Sequence, residues 1–222
     1  MNIVVLLALI GGSIARIPAM IIQGKRSDVK VWKVFPLTIL LTVVELLGTM
    51  ILFYVENGFF GGMSYYGGIL LMPIFVMPLA FLMRIPYKKV MDMCGVAAGG
   101  MLAVMRLQCV YFGCCDGREV SMFGHTFAFP SPIVELTTVL IIMVVLVIVG
   151  KKIKLGLMYP TYMIAYGVTR FILNWYRADN SPFVWNLPHG NFWSIIAVLI
   201  GVCWIVFDYL YNKNRNTDKG SC

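Results

Sequence analysis

The chain has 222 residues, 60% of them hydrophobic and 13% charged, with a net charge of +8 and a mean hydropathy of +0.84. A water-soluble domain carries about 25% charge, so this composition excludes a soluble globule, a disordered chain and a small disulfide scaffold. Uncharged runs at 57–83 and 183–207 are each longer than the roughly 20 residues with which a helix crosses a bilayer, and the chain reads as an integral membrane protein.

Apolar windows and their breakers predict seven spans, at about 2–22, 34–55, 64–83, 91–112, 131–149, 156–174 and 190–210. No basic residue precedes the first run and no small-residue cleavage site follows it, so an uncleaved span is expected there rather than a signal peptide. Lys25, Arg26, Lys30 and Lys33 follow the first span; Arg84, Lys88 and Lys89 follow the third; Lys151, Lys152 and Lys154 follow the fifth; Lys213, Arg215 and Lys219 end the chain. With seven spans these cations share one face, while Arg118 and Arg177 lie opposite with Glu56, Asp116, Glu119 and Asp179. Basic loops face the cytoplasm. The expectation is therefore an all-α polytopic membrane protein, a bundle of seven transmembrane helices with its N-terminus outside and its C-terminus in the cytoplasm. Residues 1–212 form one helical domain and 213–222 a short basic tail. The positive charge is topogenic, and nucleic-acid binding is not indicated. The longest loops, about 113–130 and 175–189, fall on the external face, where function is expected.

Three arginines and two glutamates, Arg16, Arg106, Arg170, Glu45 and Glu135, sit inside or at the edge of spans. Each costs about 2.5–3.5 kcal/mol at a helix centre, so each needs a partner. Arg16 reads either as a structural or snorkelling arginine, with Glu45 neutralising it, or as a functional group. Arg106 and Arg170 read either as ion pairs tying helices together through Glu135 or as an anion site. Arg170, Asn174 and Arg177 stand at i, i+4 and i+7 and line one helical face. Guanidiniums stacked in this way suit a phosphate, which arginine grips with two parallel N–H bonds. With Arg106 nearby, the external half of the bundle is expected to hold an anionic lipid headgroup.

Arg106 also heads a helix that ends in the turn Gly113-Cys114-Cys115-Asp116-Gly117. Cys94 and Cys203 stand alone in apolar spans and read as packing residues. Cys109, Cys114 and Cys115 cluster, but His125 and His189 make no ligand pattern with them, so neither a metal nor a cofactor is expected. Three readings stay open: small residues packing at a glycine corner, an external Cys109–Cys114 disulfide, or a reactive thiol beside Arg106. Five helical residues turn about 500°, so Cys109 and Cys114 meet only if Gly113 breaks the helix and folds the chain back.

From about Glu45 onward the chain resembles the prolipoprotein diacylglyceryl transferase family in four blocks, in order. Gly61-Gly62-Met63-Ser64-Tyr65-Tyr66-Gly67-Gly68 is similar to that family's GGMS-F-H-GG stretch, and Arg106 through Gly117 to its signature R-x-G-N-F-x-N-G-E-x-x-G. Pro130-Ser131-Pro132-Ile133-Val134-Glu135 is similar to HPSQLYE, and the segment from Tyr166 to Asp179 to YG-x-x-R-F-x-x-E-x-x-R-x-x-D. The resemblance implies transfer of the diacylglyceryl group of phosphatidylglycerol, or a similar anionic lipid, to the thiol of a lipobox cysteine in a preprotein, releasing glycerol phosphate at a bacterial plasma membrane. It implies Arg106 and Arg170 as phosphate clamps and Arg177 as an entrance cation. Cys109, Cys114, Gly117, Glu135 and Asn174 fall at substrate-binding positions. The family's histidine is Tyr66 here, its signature asparagine Cys109, its glutamate Cys114, the tyrosine of the third block Val134, and the glutamate of the fourth Asn174. The proton acceptor is thus Tyr66, Glu135 or a cysteine thiolate. The competing expectations are a lipid-binding protein that kept the headgroup site and lost turnover, and a seven-helix transporter or receptor. The second is disfavoured because the polar residues gather at the external ends of spans four to six.

Overall fold

The computed structural model describes residues 3–115, 117–122, 125–178, 182–184 and 186–220; Asp116 and Asp179 lie outside the described residues. Among the described residues eight helices carry the fold: α1 (Ile3–Arg26), α2 (Val31–Asn57), α3 (Tyr65–Met83), α4 (Tyr87–Ala97), α5 (Gly99–Phe112), α6 (Ser131–Val149), α7 (Met158–Asn174) and α8 (His189–Gly220). Among the described residues, five stretches are long and apolar enough to cross a membrane: Val31–Asn57, Tyr65–Met83, Tyr87–Phe112, Ser131–Val149 and His189–Asn214. The burial pattern fits a lipid solvent. Phe81 is 87% and Phe207 71% exposed, while Arg16, Glu45, Glu135, Asn174 and Ser194 are buried. An all-α membrane protein is what these elements make.

The fourth expected span is two helices, α4 and α5, in line across Ala98. The hydroxyl of Tyr65 donates to the Ala98 carbonyl at 2.8 Å, a side-chain insertion of the kind that interrupts a helical ladder. Residues 90–97 are all buried, so α4 runs through the middle of the bundle, packed on α1, α3, α6 and α7. Asp92 fixes it there: its carboxylate accepts from the amides of Gly156 and Met158 at 2.9 and 3.1 Å and so closes the start of α7. The loops at this end carry the cations, and they are tied down. Lys33 donates to the Met83 carbonyl at 2.8 Å, and Lys88 and Lys154 both pair with Asp208 on α8.

At the opposite end the two long loops fold into short antiparallel hairpins, β1 (Glu119–Met122) with β2 (His125–Ala128) and β3 (Pro182–Val184) with β4 (Leu187–Pro188). A bridge from Gly117 to Arg177 joins the first loop to the end of α7.

Small residues set helix spacing, as expected where lipid tails give helices no hydrophobic reason to associate. A Cβ on Gly67 would stand 2.1 Å from the Gly48 carbonyl oxygen, so α2 and α3 pack backbone to backbone. Gly67→Ala is expected to cost about 1–3 kcal/mol by forcing these helices apart; an unchanged unfolding midpoint in detergent would contradict that contact.

Candidate active site

The buried charges of the sequence form two separate pairings. Arg16 on α1 meets Glu45 on α2 at 2.6 Å, and neither side chain is more than 4% exposed. The second grouping is larger. Glu135, one turn into α6, points its Oε2 at Arg106 Nε (2.8 Å), Arg170 Nη1 (2.5 Å) and Arg177 Nη1 (3.9 Å). Its Oε1 accepts from the Tyr166 hydroxyl at 3.1 Å. Arg106 comes from the last turn but one of α5, Arg170 and Tyr166 from α7, and Arg177 from just past its end, so three elements converge on one carboxylate. Glu135 itself is 1% exposed. Counted over Glu135, Arg106, Arg170 and Arg177 alone, the grouping carries a charge of +2.

Those guanidiniums form part of the wall of a cavity of about 450 Å³ at the hairpin end of the bundle. Arg106, Arg170 and Arg177 line it together with Tyr66, Cys109 and Asn174. Glu135 lies behind the arginines, outside the lining, and so anchors them instead of facing a ligand. Cys114 and Gly117 do not line the cavity either. Gly117 acts at a distance: its amide donates to the Phe129 carbonyl at 2.8 Å, and a Cβ there would meet the Tyr176 carbonyl oxygen at 2.4 Å. Only glycine lets the loop after α5 lie against the end of α7 that carries Arg177.

Tyr66 occupies the cavity wall with its hydroxyl 2.5 Å from Ser194 Oγ. The Ser194 hydroxyl donates to the Gly190 carbonyl at 2.6 Å, and a serine has one proton to give, so the proton between the two hydroxyls belongs to Tyr66. Tyr66 is therefore engaged as a donor, and neither it nor the arginine-bound Glu135 presents a free basic atom.

Gly113 takes the left-handed conformation, φ 59°, and ends α5; the Cys114 amide turns back onto the Cys109 carbonyl at 3.0 Å. The fold-back brings the sulfurs of Cys109, Cys114 and Cys115 within 4.8 Å of one another, and these are the described residues that could hold a metal ion. Other cavity residues escaped the sequence reading. Glu56, Tyr166, His189 and Trp193 line it or its anchor, and Ser194 sets the state of Tyr66. Of these only Tyr166 stood inside a recognised block; the rest reach the site through the tertiary path of α2 and α8.

No curated protein matches the chain. The family model described as prolipoprotein diacylglyceryl transferase matches residues 47–207, which take in all four blocks, the whole of α3 to α7, the last part of α2 and most of α8. The chain belongs to the prolipoprotein diacylglyceryl transferase family, a family of membrane transferases of lipoprotein biosynthesis.

Proposed function

We propose that this protein transfers the diacylglyceryl group of phosphatidylglycerol, or of a similar anionic phospholipid, to the thiol of a lipobox cysteine in a preprotein. The observation that carries the reading is the cluster of three guanidiniums on one buried carboxylate, opening on a cavity of lipid-headgroup size. Arg106 and Arg170 grip the donor phosphate and stabilise the charge that develops on the departing glycerol phosphate, the use to which fixed donors are put wherever negative charge grows in a transition state. Arg177 and Asn174 guide the headgroup in, and Tyr66, with its proton held toward Ser194, shapes the wall.

In this reading α1, α2, α3, α4 with α5, α6, α7 and α8 make seven spans of a single domain, with α8 ending in the basic tail. The cation-rich loops lie in the cytoplasm, and the cavity opens toward the external face of a bacterial plasma membrane. Incubating purified protein with labelled phosphatidylglycerol and a lipobox peptide tests it: release of glycerol phosphate with a thioether on the peptide supports the reading, and lipid binding without release sinks it. Gly117→Ala is expected to raise the lipid concentration needed for half-maximal rate by on the order of tenfold, because it displaces Arg177 and leaves the bundle in place. Equal lipid dependence in both proteins would detach Gly117 from the site.

A second reading is a lipid-binding protein without turnover. The engaged hydroxyl of Tyr66 and the capped carboxylate of Glu135 favour it, since two of the groups expected to take the proton of an acceptor thiol are then committed elsewhere.

A further inference from the structure

We infer that Cys109, Cys114 and Cys115 together hold a thiophilic divalent cation of the zinc class, with a fourth position open to the arginine-lined cavity that takes the sulfur of the acceptor thiol. This rests on the reading of the cavity as a diacylglyceryl-transfer site, and supplies the agent of proton removal that Tyr66 and Glu135 do not.

The geometry is that of a ligand set. Sulfurs each about 2.3 Å from one zinc ion stand about 3.8–4.0 Å apart, whether the arrangement is tetrahedral or flat. Cys109 and Cys115 Sγ are 3.8 Å apart, Cys115 and Cys114 Sγ 3.9 Å, and all three lie within 4.8 Å of one another. None of the three is in a disulfide. Cys115 reaches this position with φ 65°, a left-handed backbone that a side chain adopts at a cost of about 1–2 kcal/mol and that tends to mark functional turns. Among the described residues no histidine or carboxylate joins the three. A zinc ion with three protein ligands and one exchangeable position is the catalytic form of the site; structural sites close the fourth.

Placement gives the open position its use. Cys109 and Cys115 line the cavity, and Arg106, proposed to grip the lipid phosphate, has Nη1 3.8 Å from Cys109 Sγ. The carbon that carries that phosphate and a sulfur bound at the ion are therefore neighbours. Three thiolates and a divalent cation leave one negative charge, which Arg106 offsets and which keeps a bound thiolate reactive. A thiol that enters the coordination sphere loses its proton outright, and the proton passes to water at the cavity mouth. The acceptor sulfur then uses its lone pair to form a C–S bond at the glyceryl carbon of the donor, the C–O bond to phosphate breaks, and the bonding pair leaves with glycerol phosphate. One thiolate charge and one phosphodiester charge become the two charges of the phosphomonoester, and nothing is oxidised or reduced.

The experiment begins with metal analysis of the full-length protein purified without chelator, beside the single variants Cys109→Ser, Cys114→Ser, Cys115→Ser and Cys203→Ser. The expected result is about one zinc per chain, retained in Cys203→Ser and lost or weakened at least tenfold in the other three. Cobalt exchanged into the site should show the visible bands of a tetrahedral thiolate complex, and a lipobox peptide should shift them while the same peptide with serine for cysteine does not. A metal-free protein with two of the three cysteines joined in a disulfide overturns the inference, as does metal content indifferent to the three variants. A cobalt spectrum that ignores the thiol peptide overturns the acceptor role. The two proposals fail separately: glycerol phosphate release by metal-free protein leaves the transferase reading standing without the ion, whereas a thiol-responsive metal site in a protein with no turnover leaves the ion standing without the reaction.

Discussion

Arg170→Lys is expected to lower the rate of glycerol phosphate release by about 10²–10³-fold, nearly as far as Arg170→Ala. The reason is the double duty visible at this residue. One guanidinium nitrogen, Nη1, is committed to Glu135 at 2.5 Å, while the side chain also forms part of the cavity wall. A planar fork with five donors can serve the carboxylate on one edge and a phosphate on another. An ammonium is a compact point charge, and beside a buried carboxylate it settles there and leaves the phosphate ungripped. The lysine variant keeps the charge and so keeps the fold, which makes rate the informative measurement; a lysine variant within a few-fold of the parent would show that charge alone, without the fork, is what the site uses.

Glu135→Gln is expected to have the largest effect on stability, about 3–5 kcal/mol, because it removes a buried anion that three guanidiniums share. Removing one partner of a buried pair leaves the others charged and desolvated, whereas the pair as a whole contributes little. The same logic predicts a rescue. A bound anionic lipid supplies a second negative charge to the arginines, so phosphatidylglycerol should raise the unfolding temperature of Glu135→Gln more than that of the parent, and a zwitterionic lipid should not. Equal shifts in the two proteins would mean that the lipid phosphate does not reach this cluster.

Much of the architecture was legible in the chain. Helices α1 to α3, α6 and α7 begin and end within a few residues of the apolar windows, and α8 begins with its window but runs on to Gly220, because in a bilayer every backbone polar group must be satisfied inside its own segment and the length of an apolar run sets the least length of a helix. The cost of a charge in lipid made Arg16, Glu45, Arg106, Glu135 and Arg170 conspicuous and required that they find partners. It did not say which. Neutralisation of Arg16 by Glu45 was one of two open readings, and the two side chains meet.

What sequence left open was decided by geometry across elements far apart in the chain. That Glu135 serves three arginines from behind, and does not face the cavity, depends on how α6 packs against α5 and α7. That Tyr66 is a donor depends on Ser194, 128 positions away, whose own proton goes to Gly190. Spacing argued against a ligand set in Cys109, Cys114 and Cys115 because His125 and His189 complete no ligand pattern with them, and along a continuous helix Cys109 and Cys114 diverge. The left-handed turn at Gly113 ends that helix and gathers the three sulfurs. Composition and periodicity report the solvent and the local hydrogen-bonding of each segment, which is why they determine spans and buried charges. Which side chains share a wall, and which protons are already committed, follow from the packing of helices against one another, and only the tertiary structure holds that.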